Sequence, residues 1–237
     1  MEWSDRGIVL RLRRHGESSA VMSVLTREHG RHAGLVRGAE GRRARGALQP
    51  GNLVQLVWRG RLAEQLGRFS WDLIEPLGGI WLESPARLAA IAAACALAEA
   101  GLPEREIHTP AYEALAALLG ALGQEGWESL YVHWELGLLS DLGFGLDLSA
   151  CAATGSNDDL AFVSPRTGRA VSLSAGEPYR DRLLPLPEFL LRRGRGEAAA
   201  VQAGLALTGY FLERLVFGPL GLPLPAARVR LVERLRA

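Results

Sequence analysis

Between residues 6 and 14 apolar and charged side chains alternate, with Ile8, Leu10 and Leu12 on one side and Val9, Arg11 and Arg13 on the other. A period of two predicts a strand with a buried face and a charged outer face. Residues 20–26 and 33–38 are short β-prone runs, and Glu28-His29-Gly30 between them reads as a turn. Residues 53–59 alternate again, with Val54, Leu56 and Trp58 opposed to Gln55 and Arg59, and Arg59-Gly60-Arg61 can turn the chain into a fifth run, 62–71. Residues 39–52, rich in Gly and Arg and containing Pro50-Gly51, read as a loop. Five short strands with frequent Gly predict a small closed barrel over residues 1–79, with 75–79 as a linker.

After Pro85 the period lengthens to that of a helix. Leu88, Ile91, Cys95 and Ala98 share a face, as do Tyr112, Leu115, Leu118, Leu119 and Leu122. Trp127, Leu130, Tyr131, Trp134, Leu138 and Leu142 make a third stripe. Residues 145–176 interrupt it, with turn signals at Gly155-Ser156-Asn157 and Ser164-Pro165 around one short strand, 160–163. Helical spacing returns over 197–217 (Val201, Leu205, Thr208, Leu212, Leu215) and in an amphipathic piece at 226–236. The expected class is therefore α+β, with a β-barrel domain over 1–79 and a mostly helical domain over 80–237.

Charge divides the chain at the same place. Residues 1–79 hold 13 Arg against 8 acids, and residues 80–237 hold 14 Arg against 18. The concentration is sharpest over 6–45, with ten arginines against three acids in a chain of net charge +1. Such a basic face is the footprint of a polyanion, nucleic acid above all. All 27 Lys+Arg residues are Arg. That removes a Walker A phosphate loop and Schiff-base chemistry, which need Lys, and leaves bidentate phosphate contacts available. The arginines expected to meet DNA are Arg11, Arg13, Arg14, Arg37, Arg42, Arg43 and Arg45, followed by Arg59, Arg61 and Arg68. Phe69 and Trp71 are candidates for stacking on bases, whereas Trp58 shares the apolar face of its strand.

Other chemistry finds little support. Two cysteines, Cys95 and Cys151, are too few for a disulfide framework or an all-cysteine zinc site. His29 and His32 lie three apart but flank a turn in the basic region and lack the further acids or thiols that would finish a metal site, and Asp158-Asp159 reads as a solvated turn. No G-x-S-x-G or G-x-G-x-x-G framing occurs. No enzyme activity, metal or cofactor is expected. The start, MEWSDRGIVL, lacks a signal-peptide core, and the uncharged run 88–98 falls well short of a membrane span. A cytoplasmic protein is expected.

Three stretches resemble one family. GIVLRLRRHGESSAVMSVLTREHGRHAGLVRGA resembles the opening of the bacterial recombination mediator RecO, with its Gly-Ile-Val strand, Gly-Glu-Ser turn and Leu-Thr-x-x-x-Gly return. HWELGLLSDLGFGLDLSACAATG resembles that family's Phe-Glu-x-x-Leu-Leu helix, its Leu-Gly-Phe turn and a Cys-x-x-Cys-Gly start, and LAFVSPRTGRAVS and RLLPLPEFLL extend the likeness. The resemblance implies an N-terminal OB-fold and a helical domain with a small zinc-ribbon-like insertion, here 145–176. It also implies binding of single- and double-stranded DNA, annealing of complementary strands, and work with RecR and often RecF. Such proteins help load RecA on DNA coated by single-strand-binding protein (SSB), whose acidic C-terminal tail some members contact through the helical domain. For that contact Arg87, Arg105, Arg182, Arg192 and Arg193 are available, and the sequence does not choose among them.

The chain departs from the zinc-binding members. Their two Cys-x-x-Cys pairs align here with Cys151-x-x-Thr154 and Ser172-x-x-Ala175. Three of four thiolates are missing, so a zinc-free segment held by Val163, Val171 and their apolar neighbours is expected. Two other readings of the charge pattern stand beside DNA repair, namely an RNA-binding OB-fold module and a scaffold whose basic end meets an acidic protein.

Overall fold

The computed structural model describes every residue except 63, 64, 82, 193 and 237. Five strands, β1 (Glu2–His15), β2 (Ser19–Thr26), β3 (Gly30–Arg37), β4 (Leu53–Arg59) and β5 (Gly67–Glu75), close a barrel in the order β1-β2-β3-β5-β4. All neighbours are antiparallel except β3 and β5, which meet over Gly34↔Gly67 and Leu35↔Arg68. This five-stranded closed sheet is the expected OB-fold. Glycine permits the closure: a Cβ on Gly34 would come within 2.5 Å of the Phe69 ring, and one on Gly67 within 2.3 Å of Trp58.

The phase of β1 differs from strict alternation. Val9 faces the barrel interior with Val24, Val54, Leu56 and Trp58. Strict alternation from Val9 would turn Arg11 and Arg13 inward as well. A bulge at Leu10 prevents this, because Val9 pairs with Val24 and Arg11 with Ser23, leaving Leu10 as the extra residue. Beyond the bulge Leu12 packs on the interior cluster, and both arginines are exposed. The expected face of Ile8, Leu10 and Leu12 is therefore split. Ile8 lies on the outer side of β1 and is fully buried there by a helix packed on that strand, α2 (Pro85–Gly101).

The stretch expected to be a loop at 39–52 contains a short helix, α1 (Arg42–Ala47). Ala39, Ala44 and Leu48 join the barrel cluster, so these small apolar residues give the segment a buried side that its Gly and Arg content concealed. Asn52, fully buried, donates to the carbonyls of Gly46 and Ala47 and accepts from the Gly78 amide at 2.8 Å. That bond ties the expected linker to the barrel. The fifth strand begins at Gly67 rather than 62; part of the difference lies outside the described residues.

The helical spacing reads out as α2, α3 (Thr109–Ala121) and α4 (Trp127–Asp141). Between α4 and the later helices, β6 (Leu160–Val163), β7 (Ala170–Ser172), the one-turn α5 (Leu173–Gly176) and β8 (Leu184–Pro185) form a small sheet of order β7-β6-β8 with its following turn. Then come α6 (Ala198–Phe211), prolonged by a π turn over Leu212–Phe217, and α7 (Ala226–Arg236). Of the predicted α4 stripe, Leu130 is exposed and the buried Glu135 was not foreseen; the Thr208 hydroxyl of α6 donates to its carboxylate. The described residues form two compact units, Met1–Leu122 with Pro225–Leu231, and Gly123–Leu224 with Val232–Ala237. The change of pattern at residue 80 is thus a change of secondary structure inside the first unit, where α2 and α3 stand with the barrel.

Candidate nucleic-acid interface

Register places the basic side chains on the barrel. Across one row, Arg13 of β1 pairs with Val21 of β2, Val21 with Leu35 of β3, Leu35 with Arg68 of β5, and Arg68 with Arg59 of β4. All lie opposite in phase to the interior residues Leu12, Met22, Gly34, Phe69 and Trp58, so the row faces outward. The next row holds His15, Ser19 and Arg37. Three strand steps separate Arg13 from Arg68 along the wall of the closed barrel, so the row curves round it.

Arg13, Arg37, Arg42, Arg61 and Arg68 are exposed, and none enters an ion pair among the described residues. The other expected DNA contacts are paired. Arg11 meets Glu99 at 3.6 Å, Arg43 meets Asp72 at 2.9 Å and Arg59 meets Glu2 at 2.9 Å. The Arg59–Glu2 hydrogen bond holds the arginine further up and the carboxyl further down than usual. Arg14 and Arg45 share Glu40 at 2.7 and 3.3 Å. Exposed pairs of this kind are worth roughly 0–1 kcal/mol, so phosphate can displace the carboxylates at little cost.

Arg42, Arg43 and Arg45 stand on α1, a helix, which corrects the expected mobile loop. Arg43 lies over the Trp71 ring at 5.4 Å from its centroid, so one face of that half-buried indole is already covered. Phe69 is corrected outright. It is 5 % exposed, packed inside the barrel on Trp58, and presents no face to a base. Trp3 offers no open alternative: it is half-buried against the barrel core and stacks on His29 at 4.1 Å and on Trp58 at 5.8 Å. The alternating stretch began at residue 6, and a strand start at Glu2 was not legible.

Behind Trp3, His32 is buried with neither ring nitrogen hydrogen-bonded. Burial first, then the nearby Arg105 and His29, push its pKa down to about 4. His29 does have an acid, Asp5 at 3.0 Å, brought from β1 by the fold. Among the described residues no three His, Cys, Asp or Glu side chains gather as metal ligands.

Of the arginines considered for an acidic peptide tail, Arg87 and Arg105 belong to the first compact unit, and Arg182 and Arg192 to the second. Arg87 donates to the Leu122 carbonyl at 2.6 Å and covers Trp81, a structural role within the first unit. Arg105, at φ +63, donates its backbone N–H to Arg31. In the second unit Arg182 is exposed, and Arg192 pairs with Glu188 at 3.4 Å. Arg193 lies outside the described residues.

The insertion does gather its four aligned positions. The Ser172 amide donates to the Cys151 sulfur at 3.3 Å, and Ser172 and Thr154 beside it hold the thiol below its ordinary pKa. Cys151, Phe162 and Val171 form a small core against which Ala175 packs. One thiol, two hydroxyls and a methyl group are not a zinc donor set, so the residues present do not fit the metal. Hydrogen bonds to sulfur and apolar packing hold the segment.

Two family models match the chain: "Recombination protein O N terminal" over residues 1–77 and "Recombination protein O C terminal" over residues 82–222. Among curated proteins, "DNA repair protein RecO" of Rhodospirillum centenum is 56 % identical over 238 residues, covering 100 % of this chain and 95 % of the relative. Its namesake in Rhodospirillum rubrum is 53 % identical over 244 residues, with 100 % and 97 % covered. That of Phenylobacterium zucineum is 52 % identical over 240 residues, with 99 % and 98 % covered.

Proposed function

The chain belongs to the RecO family and has a role in DNA repair, and from that premise we propose that it is a non-enzymatic, DNA-binding recombination mediator. It binds single- and double-stranded DNA on the outer face of β1, β2, β3 and β5. The observation that supports this most is the outward row Arg13–Val21–Leu35–Arg68 with Arg37 beside it, an exposed basic strip whose three arginines have no ion pair among the described residues. Phosphates on the strip release counterions; about four neutralised phosphates give a log–log salt slope near −3 for a single strand. Two strands held along one positive surface repel each other less, which promotes annealing. RecR, with RecF in some pathways, and the SSB tail are the proposed protein partners, and loading of RecA on SSB-coated single strands is the outcome.

Annealing of complementary oligonucleotides, naked and SSB-coated, tests the reading. We expect acceleration on both, lost on coated strands when SSB lacks its last residues. No acceleration over the spontaneous rate would overturn it. Preference for RNA over single-stranded DNA of equal length would favour an RNA-binding module instead.

A further inference from the structure

A depression in the outer face of the barrel adds a specific seat to the basic strip. Its floor is Ser23 of β2 and Ala33 of β3, which pair directly with each other in the row that starts at Arg11. The rows on either side carry Val21 with Leu35 and Leu25 with Arg31. Two small side chains between two rows of large ones leave a dent. Adjacent strands lie about 5 Å apart, so a floor two residues wide suits a tetrahedral anion better than a base.

Three guanidinium groups wall the dent: Arg11, Arg13 and Arg31. Arg31 is fixed there, its Nε donating to the Leu102 carbonyl at 2.7 Å and its terminal nitrogen lying 3.3 Å from Glu104. Glu99 holds Arg11 loosely at 3.6 Å, and Arg13 has no ion pair among the described residues. Three cations against the two carboxylates leave a net positive site. The independent sign of a ligand is Ser23 itself. The residue is 7 % exposed, and its hydroxyl has no hydrogen-bond partner among the described residues, although alanine stands beside it on β3 without that cost. A buried hydroxyl left unpaired destabilises the fold, which marks it as a donor kept for a group that arrives.

We propose that this dent seats one backbone phosphate of single-stranded DNA, with Ser23 Oγ donating to it, Arg13 and Arg31 flanking it, and Arg11 released to it from Glu99. The seat rests on the DNA-binding reading above and deepens it. Arg13 belongs to both dent and strip, so a strand tracking the strip passes over the seat; that continuity favours phosphate over a lone peptide carboxylate.

The test is fluorescence anisotropy with a 20-nucleotide (roughly) oligo-dT at fixed salt, using the full chain and the variants Ser23→Ala and Glu99→Gln. Ser23→Ala removes only an unpartnered hydroxyl, so its thermal midpoint stays equal to or above that of the wild type while affinity falls about tenfold. Glu99→Gln frees Arg11 and tightens binding about threefold. Wild-type binding that neither variant changes overturns the seat and leaves the DNA reading standing. No binding by the wild type even at low salt overturns that reading. An acidic peptide with a free C-terminus is the competitor arm: if Ser23→Ala weakens the peptide and not the oligonucleotide, the seat takes a carboxylate and the proposal is wrong.

Discussion

His32 gives the barrel a pH dependence that one substitution can expose. Its folded pKa of about 4 lies below the ordinary 6.5, so between those values the unfolded chain binds a proton that the folded chain refuses. The stability tied to neutral His32 is complete above about 6.5 and is lost as pH falls towards 4. The groups around the ring that act on it are Arg105, His29 and Glu104, and the cost of burying the charge outweighs the one carboxylate. His32→Phe keeps a ring among Trp3, Trp58 and Phe69 and removes the titration. In paired unfolding curves from pH 7 to 4, the wild type should lose about 3 kcal/mol more than the variant. Parallel curves would show that His32 titrates normally.

At the scale of elements, the insertion carries the plainest prediction. Incubation with a chelator should leave the thermal midpoint unchanged, because Cys151, Thr154, Ser172 and Ala175 hold no metal set. Cys151→Ala should lower stability by roughly 2 kcal/mol, since the Ser172 amide loses its acceptor and a small core loses its centre. A midpoint that drops with the chelator would contradict this. The convergence of these four positions could be expected only from the resemblance, since three of them no longer look like ligands. The longer strands and helices were legible from period alone, from Val54-Leu56-Trp58 to the Trp127–Leu138 stripe, whereas the three-residue β7 was not. The phase of β1 was not. Ile8, Val9 and Leu10 are all apolar, so alternation could be read in either phase, and a bulge leaves no mark on the sequence. The α1 helix escaped notice because its buried side is made of Ala39, Ala44 and Leu48 rather than large residues. Phe69 was misjudged because a barrel has an inside that two residues of one strand cannot reveal. Ser23 and Ala33 were illegible as a dent, since their adjacency is a matter of register between strands.

For the whole molecule, the basic end is a structured surface. Its arginines divide into those already answered by acids (Arg11, Arg14, Arg27, Arg31, Arg43, Arg45, Arg59) and others, among them Arg13, Arg37 and Arg68, with no ion pair among the described residues. Within 6–45, Arg13, Arg37 and Arg42 are exposed and have no ion pair among the described residues, and Arg61 and Arg68 join them from later in the chain. Of the later arginines, Arg87 and Arg105 belong to the first compact unit, and Arg182 and Arg192 to the second. The central claim is that the outer β1–β2–β3–β5 face binds single-stranded DNA through phosphate contacts. The salt dependence of oligo-dT affinity, measured for the wild type and for the triple variant Arg13→Gln, Arg37→Gln, Arg68→Gln, tests it most directly. The account predicts a wild-type log–log slope near −3 that becomes shallower by about 2 in the variant, with weaker binding at every salt concentration. A triple variant that folds and keeps the wild-type slope would contradict it.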